Sequence, residues 1–152
     1  MTRLVVDASV AIKWLLPDRA GEADSDRALA LLSGIRAGTV EPIQPPHWLA
    51  EVAAVLARLS PETVDDDVRD LYAMGLPVLD TPGMYLTACE LARSLGHHLF
   101  DTLYHAVALE VEGASLVTAD EHYHRKASAR GSVILLDSFS PAGGKSGGAE
   151  EA

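Results

Sequence analysis

Short apolar runs alternate with longer stretches of helical periodicity along most of this chain. Runs at 4–9 (LVVDAS), 76–81 (LPVLDT), 114–120 (ASLVTAD) and 132–137 (SVILLD) have the length and composition of buried strands. The segment 41–46 (EPIQPP) is rich in proline, so it predicts only a short strand or an edge strand. Strands that alternate with helices predict an α/β fold, in which helices cover both faces of a parallel sheet.

Helices are expected in the stretches between these runs. In the helix predicted over 21–37, Leu29, Leu32 and Ile35 are the expected core positions. The acidic run at 65–67 is expected to be a solvated helix surface. The predicted helices are a short one through 11–16 that Pro17 and Asp18 end, then 21–37, 47–60, 61–75 with Pro61 at its start, 84–96 closed by Gly96, 98–113 ended by Gly113, and 121–129.

Length and composition describe one soluble globular domain. The chain has 152 residues, 48% of them hydrophobic and 22% charged, and we expect residues 1–140 to form the domain and 141–152 (PAGGKSGGAEEA) a flexible tail. The single cysteine, Cys89, excludes an intrachain disulfide and fits a reducing compartment. No apolar run approaches the ~20 residues of a membrane span, so a cytoplasmic location is expected.

The net charge of −10 limits the possible partners. An acidic chain repels nucleic acid at long range, which excludes a basic, nonspecific nucleic-acid coat. Acids that hold divalent cations reverse the local sign, however, so action on RNA stays possible.

Two acids stand where predicted strands end. Asp7 closes the first apolar run and Asp120 closes the run at 114–120. Ligands of open parallel sheets bind beyond the carboxyl ends of the strands, so both acids can reach one crevice if their strands are neighbours. The alternative for each is an ordinary helix cap.

Two further acids lie on predicted helix faces that point inward. Glu51 falls inside the apolar stripe of the helix at 47–60, where an unpaired carboxylate is costly unless a partner or a metal compensates it. The alternative partner is Arg58. Asp101 opens the helix at 98–113, where favourable interaction with the helix dipole alone could account for it.

The order VVDAS, LAEV, FDTLYHAVA and LVTAD resembles the PIN-domain ribonucleases, and within them the VapC toxins of bacterial toxin–antitoxin pairs. The resemblance covers the chain through Phe139. It implies a Rossmann-like sheet of about five parallel strands, dependence on Mg²⁺ or Mn²⁺, RNA cleavage, a homodimer and inhibition by a cognate antitoxin protein. The residues that match the family's acidic quartet, as expected catalytic residues, are Asp7, Glu51, Asp101 and Asp120, with Asp7 and Asp101 as metal ligands.

The expected substrate contacts are less specific than the quartet. Ser9 and Thr118 match hydroxyl positions of the family. Arg125 and Lys126, with Arg130, either form a phosphate-holding rim or an ordinary solvated face. A zinc site is disfavoured, because the spacing of His122 and His124 directs them to different helix faces and the only cysteine lies in another predicted helix. His105 stands where relatives of the family usually carry an aliphatic residue.

The chemistry of four carboxylates agrees with this resemblance. Mg²⁺ accepts hard carboxylate oxygens, and two-metal hydrolysis of a phosphodiester needs no serine, cysteine or histidine nucleophile. Two other functions stay open: an aspartate-nucleophile phosphatase, which requires a second Asp where this chain has Ser9, and a degenerate PIN domain that binds RNA or protein without cleaving. A homodimer could bury the helices at 47–75, with Trp14 or Trp48 exposed for contact.

Overall fold

The computed structural model describes residues 2–17, 19 and 23–140 of the chain. Asp18 and the predicted tail at 141–152 lie outside these ranges. So do the first two residues of the helix predicted over 21–37. The strands of the described residues are β1 (Thr2–Val6), β2 (Val40–Pro42), β3 (Ala114–Thr118) and β4 (Val133–Leu135). The α-helices are α1 (Ala8–Leu15), α2 (Ser25–Ala37), α3 (Trp48–Leu59), α4 (Val64–Ala73), α5 (Pro82–Leu95), α6 (Leu99–Glu110) and α7 (Glu121–Ala127), with 3-10 turns at Ser128–Arg130 and Leu136–Ser138.

The strands form one parallel sheet in the order β2-β1-β3-β4. Its centre is apolar: β1 and β3 place Leu4, Val5, Val6, Leu116 and Val117 in the core. Val6 pairs with Val117, so β1 and β3 end side by side at the same edge of the sheet. The predicted α/β fold with a parallel sheet is confirmed.

The sheet has four strands in the described residues where about five were expected. The run at 76–81 makes only one isolated parallel bridge, between Val78 and Gln44. Prolines at 42, 45, 46 and 77 remove the N–H donors that a longer pairing would need. The segment 41–46 does contribute the short edge strand that its prolines predicted.

Gln44 pairs with the end of β1 through its side chain, while its backbone makes the bridge to Val78. Its buried amide donates from Nε2 to the Val6 carbonyl at 2.9 Å and accepts from the Val6 N–H at 2.7 Å. This pair of bonds replaces a strand neighbour at the end of β1. It therefore fixes the backbone directly before Asp7.

Several helix details differ from the prediction. Helix α2 begins at Ser25, and its fully buried side chains are Ala28 and Leu31, with Leu32 also buried and Leu29 and Ile35 only partly so. The buried stripe is thus rotated by about one residue in the helix that packs on α1 and β2. Helix α4 begins at Val64, after a turn that contains Pro61.

Both tryptophans are buried, which corrects the expectation that one of them is exposed for dimer contact. Trp14 donates its indole N–H to the Ala28 carbonyl at 2.9 Å, and Trp48 packs in the same core. Gly96, at φ 60°, ends α5 as predicted. Across the described part of the chain, no helix combines the length and apolar character that crossing a bilayer requires.

Candidate active site

One open cleft of about 420 Å³ lies at the carboxyl edge of the sheet. Its walls come from the ends of β1 and β3 and from α1, α3 and α6. All four predicted acids line it: Asp7, Glu51, Asp101 and Asp120. The fold therefore collects carboxylates that are far apart in sequence into one concave, negatively charged surface.

Asp7 follows β1 and caps α1. Its Oδ2 accepts hydrogen bonds from the Ser9 N–H at 3.2 Å, the Ser9 hydroxyl, and the Thr118 hydroxyl at 3.3 Å. Burial raises the pKa of Asp7 to about 7, although the Ser9 hydrogen bonds oppose the shift; nearby Asp101 and Glu51 raise the pKa further. Asp7 therefore caps α1 and is also a carboxylate whose charged form is disfavoured by its surroundings.

Ser9 and Thr118 connect Asp7 to Asp120. The Ser9 hydroxyl accepts the Ala119 N–H at 3.0 Å, and the Thr118 hydroxyl accepts the Asp120 N–H at 3.0 Å. Each hydroxyl also donates to Asp7, so each one both donates and accepts a hydrogen bond. The two predicted substrate contacts therefore bond the Asp7 carboxylate and the backbone next to Asp120, and of the two only Ser9 lines the cleft.

Asp120 follows β3 and caps α7. One of its oxygens, Oδ1, accepts the Tyr123 N–H at 3.0 Å. As with Asp7, helix capping explains why an acid stands at this backbone position. Because β1 and β3 are neighbours, both acids line the same cleft.

Glu51 lies on α3 and is held by α6. The Tyr104 hydroxyl donates to Glu51 Oε1 at 2.7 Å, and His47 Nε2 lies 4.0 Å from the same oxygen. Burial and the surrounding carboxylates raise the pKa of Tyr104, so it remains a hydrogen-bond donor. Tyr104 therefore takes the role that the sequence offered to Arg58.

Asp101 stands in the first turn of α6. His97, in the loop between α5 and α6, places Nε2 2.9 Å from Asp101 Oδ2. Within the described residues, His97, Asp101 and Asp120 offer three ligand atoms that all lie within 4.8 Å of one another. Carboxylate oxygens suit a hard divalent cation, and Asp101 and Asp120, with Asp7 lining the same cleft, are the residues that could hold one.

The predicted basic rim does not line the cleft. Arg125 is largely exposed, with Glu121 4.0 Å away. Lys126 donates to the Gly96 carbonyl at 3.2 Å and contacts His97 Nδ1 at 3.3 Å. Arg130 binds both carboxylate oxygens of Glu90, at 2.6 and 3.2 Å.

The sequence assigned no role to two residues of this region: Lys13, which lines the cleft, and His97, which contacts the cleft acid Asp101. Lys13 is buried in α1 and lines the cleft one turn after Ser9. The i, i+4 spacing from Ser9 was the available signal, because residues so spaced share a helix face. His97 carried no such signal, since it lies in a loop.

His105 has a structural role. Its Nδ1 accepts the Tyr123 hydroxyl at 2.8 Å, and its Nε2 donates to the Gly131 carbonyl at 2.7 Å. Burial lowers the pKa of His105, which favours the neutral ring that this pairing requires. Both ring nitrogens are therefore occupied by hydrogen bonds within the protein.

Comparison with known proteins agrees with this geometry. A family model of the PIN domain matches residues 4–129. The chain belongs to the PIN domain family. Its fold is similar to a solved toxin–antitoxin complex from Klebsiella pneumoniae, with a TM-score of 0.62 and 13% sequence identity, over 88% of this chain and 97% of that chain. No curated protein sequence matches it.

The PIN-domain match spans all four cleft acids, as well as Lys13. The resemblance to PIN domains that the four motifs indicate is confirmed. At 13% identity, likeness to the solved complex shows the fold alone.

Proposed function

We propose that this PIN domain is a metal-dependent endoribonuclease that acts as the toxin of a toxin–antitoxin pair. The observation that carries the proposal is the convergence of Asp7, Glu51, Asp101 and Asp120 on one cleft. Four carboxylates in one place repel each other; burial is the main cause of the raised pKa of Asp7, and the nearby Asp101 and Glu51 raise it further. A bound divalent cation would offset this repulsion, and metal binding would explain why the acids are collected in one cleft.

The cleft residues have distinct parts in the proposed reaction. Asp7, Asp101 and Asp120 would hold Mg²⁺ or Mn²⁺. When bound, the ion neutralises charge on the scissile phosphate and favours deprotonation of water. Glu51, whose carboxylate is fixed by Tyr104 at 2.7 Å, accepts the proton of the attacking water. Lys13 lines the α1 side of the cleft, where its ammonium would contact a phosphate oxygen of the substrate.

Chelation tests this function directly. The purified chain should cleave structured and tRNA-like RNA in Mg²⁺ or Mn²⁺, lose the activity in EDTA, and regain it when excess metal is added. Asp101→Asn should be inactive, whereas Asp66→Asn, a matched change on the exposed surface of α4, should cleave like wild type. Full activity in EDTA would refute the mechanism. RNA binding without cleavage under every metal condition would favour the non-cleaving scaffold.

An antitoxin is the proposed protein partner. The similar solved structure is a toxin–antitoxin complex, and the cleft and the net charge of −10 favour a basic inhibitor segment. Arginine suits the cleft, because its planar fork binds carboxylates in two places and stays charged. A cognate inhibitor should bind the Asp7→Asn, Asp101→Asn double variant much more weakly. Equal binding would contradict this picture.

A homodimer is proposed on the basis of exposed apolar side chains. Tyr72 on α4 is 76% exposed and Leu86 on α5 is 70% exposed. Light scattering at tens of micromolar should give the mass of two chains, and Leu86→Glu should lower it. A monomeric wild type would refute the proposal.

A further inference from the structure

His97 connects a cleft acid to a lysine outside the cleft. Its Nε2 lies 2.9 Å from Asp101 Oδ2, and its Nδ1 lies 3.3 Å from Lys126 Nζ. The side chain is only 10% exposed. Both ring nitrogens are thus engaged, by a carboxylate on one side and an ammonium on the other.

These two partners select one tautomer of the ring. A lysine ammonium has donors and no acceptor, so the His97 nitrogen that faces Lys126 must be the acceptor. In a neutral imidazole the other nitrogen then carries the hydrogen. His97 Nε2–H therefore donates to Asp101 Oδ2, and its lone pair on Nδ1 is directed away from the cleft.

This tautomer argues against metal binding by His97, one of the three residues whose ligand atoms lie close together. His97, Asp101 and Asp120 could be taken for a mixed nitrogen and oxygen metal site. Ligation through Nε2 would require the hydrogen on Nδ1, where it would oppose the Lys126 ammonium. The pairing observed favours donation to Asp101 instead.

We propose that His97 is a positioning residue, not a metal ligand, and that Lys126 fixes the tautomer in which His97 holds Asp101. The inference rests on the proposed function, since it assigns a role toward the ion held by the cleft acids. The hydrogen bond to Oδ2 holds the Asp101 carboxylate in place, and Asp101 would then bind an ion without help from the His97 nitrogen. The ion would be held by oxygen ligands alone.

Packing supports this arrangement. The His97 ring makes an edge contact with buried Tyr123, with centroids 4.8 Å apart and planes at 70°. Lys126 also donates to the carbonyl of Gly96, the left-handed residue that ends α5. Helix α7 therefore carries Asp120 at its start and, near its end, the lysine that orients the support of Asp101.

The tautomer can be read without metal or RNA. Nitrogen-15 correlation spectra of the metal-free protein, recorded well above the ordinary imidazole pKa of about 6.5, separate Nδ1–H from Nε2–H rings. His97 should be Nε2–H in the wild type and in Arg69→Met, a charge-matched change at an exposed site on α4. Lys126→Met should populate the other tautomer measurably. An Nδ1–H ring in the wild type would overturn the inference.

Metal affinity separates positioning from ligation. His97→Ala should lower Mn²⁺ affinity by about 10–100-fold, the usual effect of losing a group that orients a ligand. His97→Gln, whose amide nitrogen can replace Nε2–H, should recover most of it, and the shorter His97→Asn should not. If Lys126 acts through His97, Lys126→Met should add little to His97→Ala.

Electron spin-echo spectra of bound Mn²⁺ provide the decisive signature. The wild type should show no coupling to a directly ligated imidazole nitrogen. Such a coupling, absent in His97→Gln, would make His97 a ligand and overturn the proposal. RNA cleavage is not used in these measurements: a protein that binds Mn²⁺ with these signatures but cuts no RNA would refute the nuclease and leave His97 as assigned. Failure of the wild type to bind Mn²⁺ would refute both.

Discussion

The Tyr104 hydroxyl donates to Glu51 Oε1 at 2.7 Å and thereby connects α6 to α3 across the floor of the cleft. Tyr104 is fully buried, whereas the Glu51 side chain is 28% exposed. The hydrogen bond explains how a carboxylate fits in the apolar stripe of α3. It also fixes the orientation of the acid that we propose as the general base.

Tyr104→Phe tests whether the Tyr104 hydroxyl orients Glu51, because the change keeps the buried ring and removes the hydrogen bond. The change removes only the hydroxyl, so we expect unfolding in urea to cost roughly 1 kcal/mol less, the usual net value of one hydrogen bond. RNA cleavage should fall while Mn²⁺ affinity stays near the wild-type value. Tyr85→Phe, which removes a hydroxyl at an exposed position of α5, is the matched control. Unchanged cleavage in Tyr104→Phe would contradict the orienting role.

Glu51→Gln tests the proposed base itself. Glutamine preserves the shape and can still accept the Tyr104 hydrogen bond, so the fold should be retained. Loss of the basic oxygen should lower the rate by at least ~10²-fold, within the range for one catalytic group. Single-turnover cleavage measures this. An active variant would reduce Glu51 to a locally paired side chain.

Asp7 predicts a pH dependence of stability in the metal-free protein. Its pKa is about 7 in the folded state and near 3.8 when unfolded, so between these values the folded state binds one more proton. Its contribution to the free energy of unfolding should therefore fall as pH rises from about 4 to about 7, and then level off. One pKa unit corresponds to about 1.36 kcal/mol, which sets an upper limit of about 4 kcal/mol.

Asp7→Asn should remove that fall. Without metal, the variant should be as stable as wild type or more stable above pH ~7, and it should be inactive. Urea unfolding of both proteins across the pH range measures the difference. A variant that is much less stable than wild type at every pH would show that Asp7 serves chiefly as the cap of α1.

Metal affinity should also depend on pH through Asp7, but it should rise with pH where the stability of the metal-free protein falls. Because a ligand carboxylate must lose its proton, apparent Mn²⁺ affinity should rise with pH up to about 7 and then level off. Titration calorimetry in buffers of different ionisation enthalpy would count the proton released. Binding that releases no proton below pH ~7 would exclude Asp7 as a ligand.

The sequence predicted those parts of the site that local pattern determines. Asp7 and Asp120 each follow an apolar run, and Glu51 interrupts an apolar stripe, so each could be found from its immediate neighbours. His97 could not, because its role depends on Lys126, which only the packing of α7 against the α5–α6 loop brings near. Likewise, no local pattern indicates that the side chain of Gln44 replaces a strand neighbour of β1.

The location of the ion is the most direct test of the central claim. Crystals grown with Mn²⁺ and measured at the manganese absorption edge should show anomalous density in contact with carboxylate oxygens of Asp7, Asp101 and Asp120. Density elsewhere on the protein, or none in this cleft under conditions where the enzyme cleaves RNA in Mn²⁺, would contradict the account.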